Sequence, residues 1–163
     1  MFLLQDTPSK ETLASFAARY PQLQPAALGS CIAILRTGRE LQRVFDRFLS
    51  AKGLSQGRFL TLIVLNRTPE SPTTPSTLAE KVGVTRATMT GLIDGLTRDG
   101  FVDRVPHPTD RRKVHVQLST SGQQRLEDIL PDYYARIASI AAVLSPDEQV
   151  QLSALLQKIE GSL

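Results

Sequence analysis

Cysteine and histidine are almost absent from this sequence of 163 residues, which contains one cysteine and two histidines. A single cysteine, Cys31, cannot form an internal disulfide bond. Together with His107 and His115 it also makes too small a set of ligands for a metal site built from cysteine and histidine. We therefore expect no disulfide and no bound metal, and we expect Cys31 to be a buried, inert thiol rather than a redox centre.

Long apolar runs are missing as well. The longest candidate, residues 59–65, is interrupted by Asn66 and Arg67 and falls far short of the ~18 residues that a membrane span needs. Residues 1–4 are apolar but lack the basic segment that precedes the core of a signal peptide. Because 41% of the residues are hydrophobic and 21% are charged, the composition is that of a globular protein. We expect a cytoplasmic protein without a membrane partner.

Motifs for catalysis are not found either. The sequence has no glycine-rich phosphate loop, no nucleophile elbow and no conspicuous carboxylate pair. Both histidines lie in a predicted hairpin. We expect a protein that is not an enzyme and that needs no cofactor.

Positive charge is in slight excess, with a net charge of +3. An excess of this size fits an anionic partner, but it also fits many proteins that bind no nucleic acid, so the position of the charges matters more. Basic residues concentrate in one predicted hairpin, where Arg104 precedes the tip residues Arg111, Arg112 and Lys113.

Helical periodicity predicts two helices at each end of the chain. Residues 7–20 and 25–49 form the first pair, and the second of these helices carries an apolar stripe of Leu28, Ile32 and Leu35. After residue 118, Ser119 or Thr120 (the latter in a capping box with Gln123) caps a long helix, and Ser145–Glu148 form the capping box of the last one. The last helix also has an apolar stripe, formed by Leu152, Leu155, Leu156 and Ile159. These stripes pack either against a second chain or on the core of their own chain.

The middle of the chain predicts three helices followed by a two-stranded hairpin. Ser55, Thr74 and Thr85 are the predicted helix caps, and Gly83 and Gly100 end the second and third helices. Residues 101–105 and 114–118 alternate apolar and polar side chains, as strands do. This order of elements is the one that a winged helix-turn-helix requires.

The third helix of this segment is the predicted DNA-reading element. The start of a helix offers backbone N–H groups and a partial positive charge to a phosphate. Short side chains beside one guanidinium allow such a helix to enter a major groove ~12 Å wide. The candidate residues are Thr85, Arg86, Ala87, Thr88, Thr90 and Gly91.

The hairpin tip is the second predicted DNA contact, since an arginine there is able to enter the adjacent minor groove. Asp110 lies close enough to Arg112 in sequence to orient it by a charge-assisted hydrogen bond. The candidate residues are Asp110, Arg111, Arg112 and Lys113. Each surface alone also fits an ordinary solvated face; the two together, in this order, favour DNA binding.

These residues resemble the MarR family of bacterial transcriptional regulators. The resemblance is carried by the run Gly83-Val84-Thr85-Arg86-Ala87-Thr88-Met89-Thr90-Gly91-Leu92-Ile93-Asp94, and by Asp110-Arg111-Arg112-Lys113 followed by Leu118-Ser119 and Gly122. It implies a homodimer in which the terminal helices interlock and two winged domains bind a pseudo-palindromic operator. It also implies that Arg112 is the minor-groove arginine and Asp110 its partner, and that a small aromatic effector releases the DNA. The sequence departs from the family at Gly95, where members often carry a larger or basic residue.

The sequence thus predicts a mainly α fold with a small β-hairpin. Residues 54–118 form the winged helix-turn-helix domain, and residues 1–53 and 119–163 form dimerisation helices. The predicted function is that of a DNA-binding transcriptional regulator, a repressor rather than an activator. The alternative is a winged-helix module that contacts protein or RNA without recognising a DNA sequence.

Overall fold

The computed structural model describes residues 8–68, 71–106 and 114–163. The elements within these ranges are α1 (Lys10–Arg19), α2 (Pro25–Ala51), α3 (Gln56–Asn66), α4 (Pro75–Val82), α5 (Arg86–Arg98), β1 (Val102–Pro106), β2 (Val114–Leu118), α6 (Thr120–Ala141) and α7 (Pro146–Glu160). The predicted class, mainly helical with one antiparallel hairpin, is confirmed. None of the described helices is both long enough and apolar enough to cross a membrane.

The chain divides into two compact units, Met1–Gln56 and Gly57–Leu163. In the first unit, Ser9 caps α1 by accepting a hydrogen bond from the backbone N–H of Thr12, as the sequence predicts. The long helix α2 begins with Pro25 in its first turn and ends before Gly53, which has a φ of 72° that favours glycine.

The first turns of α2 are less buried than expected. Leu28 and Ile32 are half-buried, whereas Leu35 is exposed. The expectation that Cys31 is buried is wrong, since its side chain is exposed. The physical reason is local: no residue between Pro25 and Phe48 is fully buried, so this part of α2 has no apolar environment that would cover a thiol.

The core of the second unit lies between α3, α4, α5 and the hairpin. Its fully buried side chains include Phe59, Leu62, Leu78, Met89, Ile93, Leu96, Val102 and Val116. The turn between α4 and α5 depends on Gly83, which has a φ of 76° and donates its N–H to the carbonyl of Ala79 at 2.9 Å. This turn is the helix-turn-helix that the sequence predicts.

The hairpin pairs β1 with β2 in antiparallel register, from Val102 opposite Leu118 to Pro106 opposite Val114. Thr73 adds a third, single-residue pairing, since it exchanges two backbone hydrogen bonds with Val116 at 3.0 and 2.7 Å. The segment before α4 is therefore fixed to the hairpin, and the hairpin and the helix-turn-helix form one unit.

The Leu118-Ser119-x-x-Gly122 motif joins the start of α6 to the turn that follows α5. Ser119 donates its hydroxyl to the carbonyl of Gly100 at 2.7 Å and its N–H to the carbonyl of Phe101 at 3.1 Å. The Ser119 hydroxyl also accepts the N–H of Gly122 as the helix cap. A Cβ on Gly122 would lie 2.0 Å from the Phe101 oxygen, so only glycine fits this close approach.

The caps of the last two helices agree with the predictions in all but one respect. Ser119, one of the two predicted caps, caps α6, and the capping box of Thr120 with Gln123 is therefore wrong. The capping box at the start of α7 is confirmed. No residue of α7 is buried, and its apolar stripe is between 40% and 54% exposed: Leu152, Leu155, Leu156 and Ile159.

Candidate nucleic-acid interface

The start of α5 is ordered by threonine side chains. Thr85 accepts a hydrogen bond from the N–H of Thr88 at 3.1 Å, which makes it the N-cap that the sequence predicts. The two hydroxyls also lie 2.9 Å apart and are hydrogen bonded to each other. Because the cap fixes the first turn, the N–H groups and the dipole of α5 point in one defined direction.

One face of α5 is buried and the opposite face is exposed along its whole length. Met89, Ile93 and Leu96 fix the buried face in the core. Every residue that the sequence proposes for the major groove is exposed: Thr85, Arg86, Ala87, Thr88, Thr90 and Gly91. These six residues are brought together at the first two turns of α5, although their contact with DNA stays a prediction.

Two of these residues have local features that bear on DNA contact. The hydroxyl of Thr90 donates to the carbonyl of Arg86 at 3.0 Å, within the helix. A Cβ added to Gly91 would meet no atom within 4 Å, so this position is open to a close neighbour from outside. No described side chain therefore covers the surface at Gly91.

The predicted tip residues Asp110, Arg111, Arg112 and Lys113 lie outside the described residues. The strands that lead to them end at Pro106 and begin again at Val114. Both strands belong to the same unit as α5. The roles of the four tip residues stay predictions.

An ion pair that the sequence analysis missed connects the hairpin to α5. Arg104, which the sequence groups with the basic tip, pairs with Asp94 on the exposed face of α5. The only signal in the sequence is one of opposite charges on either side of the Gly100 turn. Periodicity places each residue on its own element but does not say that the two elements meet.

A second ion pair connects α3 to the end of α5. Arg58 of α3 pairs with Asp99, the C-cap residue of α5. Next to it, a Cβ on Gly57 would lie 3.2 Å from the Leu92 side chain, and a Cβ on Gly95 would lie 4.0 Å from Nε of Arg58. The Arg58 side chain therefore passes next to Gly95 on its way to Asp99.

A short helix-turn-helix, a hairpin that follows it and a third pairing at Thr73 define a winged helix-turn-helix protein. The profile of the MarR family matches residues 54–114. The chain is also 32% identical over 146 residues to the HTH-type transcriptional repressor YetL of Bacillus subtilis, with 90% of this chain and 87% of that protein covered. The chain belongs to the MarR family, and the resemblance noted in the sequence is confirmed.

Other relatives agree with this assignment. The transcriptional repressor MprA of Escherichia coli K12 is 29% identical over 118 residues, which cover 72% of this chain and 67% of that protein. Among solved structures, the transcriptional regulator MosR of Mycobacterium tuberculosis in complex with DNA is 28% identical, with a TM-score of 0.60 over 81% of this chain and 96% of that one. A probable transcriptional regulator from Pseudomonas aeruginosa is 26% identical, with a TM-score of 0.67 over 77% of this chain and 96% of that one.

Proposed function

We propose that this chain is a homodimeric transcriptional repressor that binds a pseudo-palindromic DNA operator through α5 and the tip of the hairpin. The single observation that carries the proposal is the exposed, threonine-capped start of α5 on a rigid core. We assign DNA binding to residues 54–118 and dimerisation to residues 1–53 and 119–163. This role places the protein in the cytoplasm with the chromosomal DNA.

Recognition of DNA by α5 requires an N-terminus that approaches the duplex without steric hindrance. The exposed start of α5 offers the guanidinium of Arg86 together with the short side chains of Ala87, Thr88 and Gly91. Short side chains allow the helix to approach the bases, and Arg86 and the threonine hydroxyls are of the right chemistry for base edges or phosphates. Repression is supported by YetL and MprA, which are both named repressors.

The homodimer is supported by α7. Its stripe of Leu152, Leu155, Leu156 and Ile159 is about half exposed in the single chain. A symmetric second copy would bury the same stripe on both subunits. Two copies would present two α5 helices, and operators of such dimers have half-sites about one turn of DNA apart, roughly 34 Å.

Release by a small aromatic effector completes the proposal. A ligand changes DNA affinity only as far as it binds one arrangement of the two winged domains better than another. The effector is therefore expected to bind the free dimer and the DNA-bound dimer with different affinities.

Selection of bound fragments from the source genome tests the proposal. We expect a palindrome-containing fragment that the wild-type chain binds with steeply salt-dependent affinity, since neutralised phosphates release counterions. Arg112→Ala should weaken this binding and reduce the salt slope by about 1.8, since the dimer contains two copies of Arg112. Binding of RNA or protein without binding of duplex DNA would contradict the proposal. That result would favour the alternative, a winged-helix module that contacts protein or RNA.

A further inference from the structure

An acidic side chain lies in the middle of the face that α5 presents to DNA in the proposed function. Asp94 follows Thr90 and Gly91 by one helical turn and is exposed with them. Its carboxylate is paired with the guanidinium of Arg104, which reaches it from β1. The two side chains are 48% and 43% exposed, so both the charge and its partner are at the surface.

The position of this ion pair, on the face of α5 that is proposed to meet DNA, matters more than its strength. An exposed ion pair contributes little to folding, so stability is a poor reason for a carboxylate here. On a surface that meets a polyanion, a bare carboxylate repels phosphates, and a bare arginine attracts them whatever the base sequence. Each charge at this position therefore changes DNA binding more than it changes folding.

We propose that Asp94 withholds Arg104 from the DNA backbone and so limits the affinity of this protein for duplexes of arbitrary sequence. The inference rests on the proposed function, because it assumes that α5 faces DNA. Affinity for non-operator DNA arises mainly from phosphate neutralisation, and a regulator must select its operator from a large excess of such DNA. An arginine that is paired with Asp94 adds no phosphate contact. The affinity for DNA then depends on the start of α5 and on the hairpin tip.

The geometry of the hairpin supports this assignment. Arg104 lies opposite Val116 in the β1–β2 register, and Val116 is fully buried and paired with Thr73. The backbone that carries Arg104 is thus paired with a strand that Thr73 holds on its other side. Loss of the Asp94 carboxylate would free the guanidinium while the strand remains in place.

Asp94→Asn tests the inference with a labelled random-sequence duplex as the probe. In the proposed homodimer, freed Arg104 should add about one phosphate contact per subunit, which makes the slope of log affinity against log salt steeper by about 1.8. Between about 50 and 200 mM salt, the variant should lose about twelvefold more affinity than the wild type. At low salt it should bind the random duplex more tightly than the wild type does.

The matched control is Asp103→Asn. Asp103 is exposed, precedes Arg104 on β1 and lies on the opposite face of the hairpin, so this variant gains the same net charge without freeing Arg104. Its slope should stay near the wild-type value. The double variant Asp94→Asn/Arg104→Gln should also return to the wild-type slope, because the freed cation is gone.

The outcomes separate this inference from the proposed function. If the wild type binds the genomic fragment but Asp94→Asn steepens the slope no more than Asp103→Asn, the inference is overturned and the proposed function stands. If the wild type binds no duplex at low salt, both are overturned. Equal thermal melting of the variants and the wild type shows that the comparison is made between folded proteins.

Discussion

Two glycines in α5, Gly91 and Gly95, have the same intrinsic effect on the helix but lie in different surroundings. Gly91 is exposed with open space around it, whereas Gly95 lies under the side chain of Arg58. A Cβ at Gly95 would stand at ordinary contact distance, so an alanine fits at both positions. In the proposed function, Gly91 differs from Gly95 because DNA approaches it from outside the chain.

This difference gives a paired prediction at the residue scale. Gly95→Ala and Gly91→Ala should each stabilise the fold by up to ~1 kcal/mol, since glycine is a poor helix former. Only Gly91→Ala should weaken duplex binding, because its methyl group would stand on the face that enters the groove. Urea denaturation measures the first effect and fluorescence anisotropy with the genomic fragment measures the second. Wild-type affinity in Gly91→Ala would show that DNA does not approach this position closely.

At the scale of elements, helix caps made the fold predictable. Thr74, Thr85 and Ser145 cap the helices that the sequence assigns to them, because a cap needs only a hydroxyl or carboxylate and a nearby backbone N–H. The ion pairs Arg58–Asp99 and Arg104–Asp94 were not predictable in this way. They join residues on different elements, and such contacts depend on how the elements pack.

The capping box of α7 gives a pH prediction. Hydrogen bonds from Ser145, the backbone N–H first, hold the pKa of Glu148 below its ordinary value. A lowered pKa in the folded state means that the carboxylate stabilises α7 at neutral pH, and that this stabilisation is lost as the pH falls through the lowered value. Glu148→Gln should therefore melt below the wild type at neutral pH, and the two should converge in acid. A melting difference that does not change with pH would contradict this account of the box.

At the scale of the whole molecule, the exposed apolar stripe of α7 bears on assembly. The sequence places apolar residues at helical spacing in α7, but the same pattern fits burial within one chain or between two. No residue of α7 is buried in the described chain, and burial between two chains stays a prediction. Periodicity alone cannot distinguish burial within one chain from burial between two, since burial depends on what lies opposite the stripe.

Leu155→Glu tests the dimer. A charge in the middle of the exposed stripe should shift the protein toward monomers and lower its operator affinity, because one winged domain binds a single half-site. Gln157→Glu adds the same charge outside the stripe and should leave the assembly unchanged. Sedimentation equilibrium distinguishes the two variants, and a Leu155→Glu protein that sediments as the wild type does would exclude α7 from the interface.

The central claim is that the start of α5 recognises base sequence. The most direct measurement is the affinity of Arg86→Ala and Thr88→Ala for the selected genomic fragment and for its single-base variants, with Arg43→Ala in α2 as the charge control. We predict that at least one α5 variant changes the preference among bases at one position by ~1–3 kcal/mol, whereas Arg43→Ala leaves every preference unchanged. If both α5 variants bind all the fragments as the wild type does, α5 is not the recognition helix.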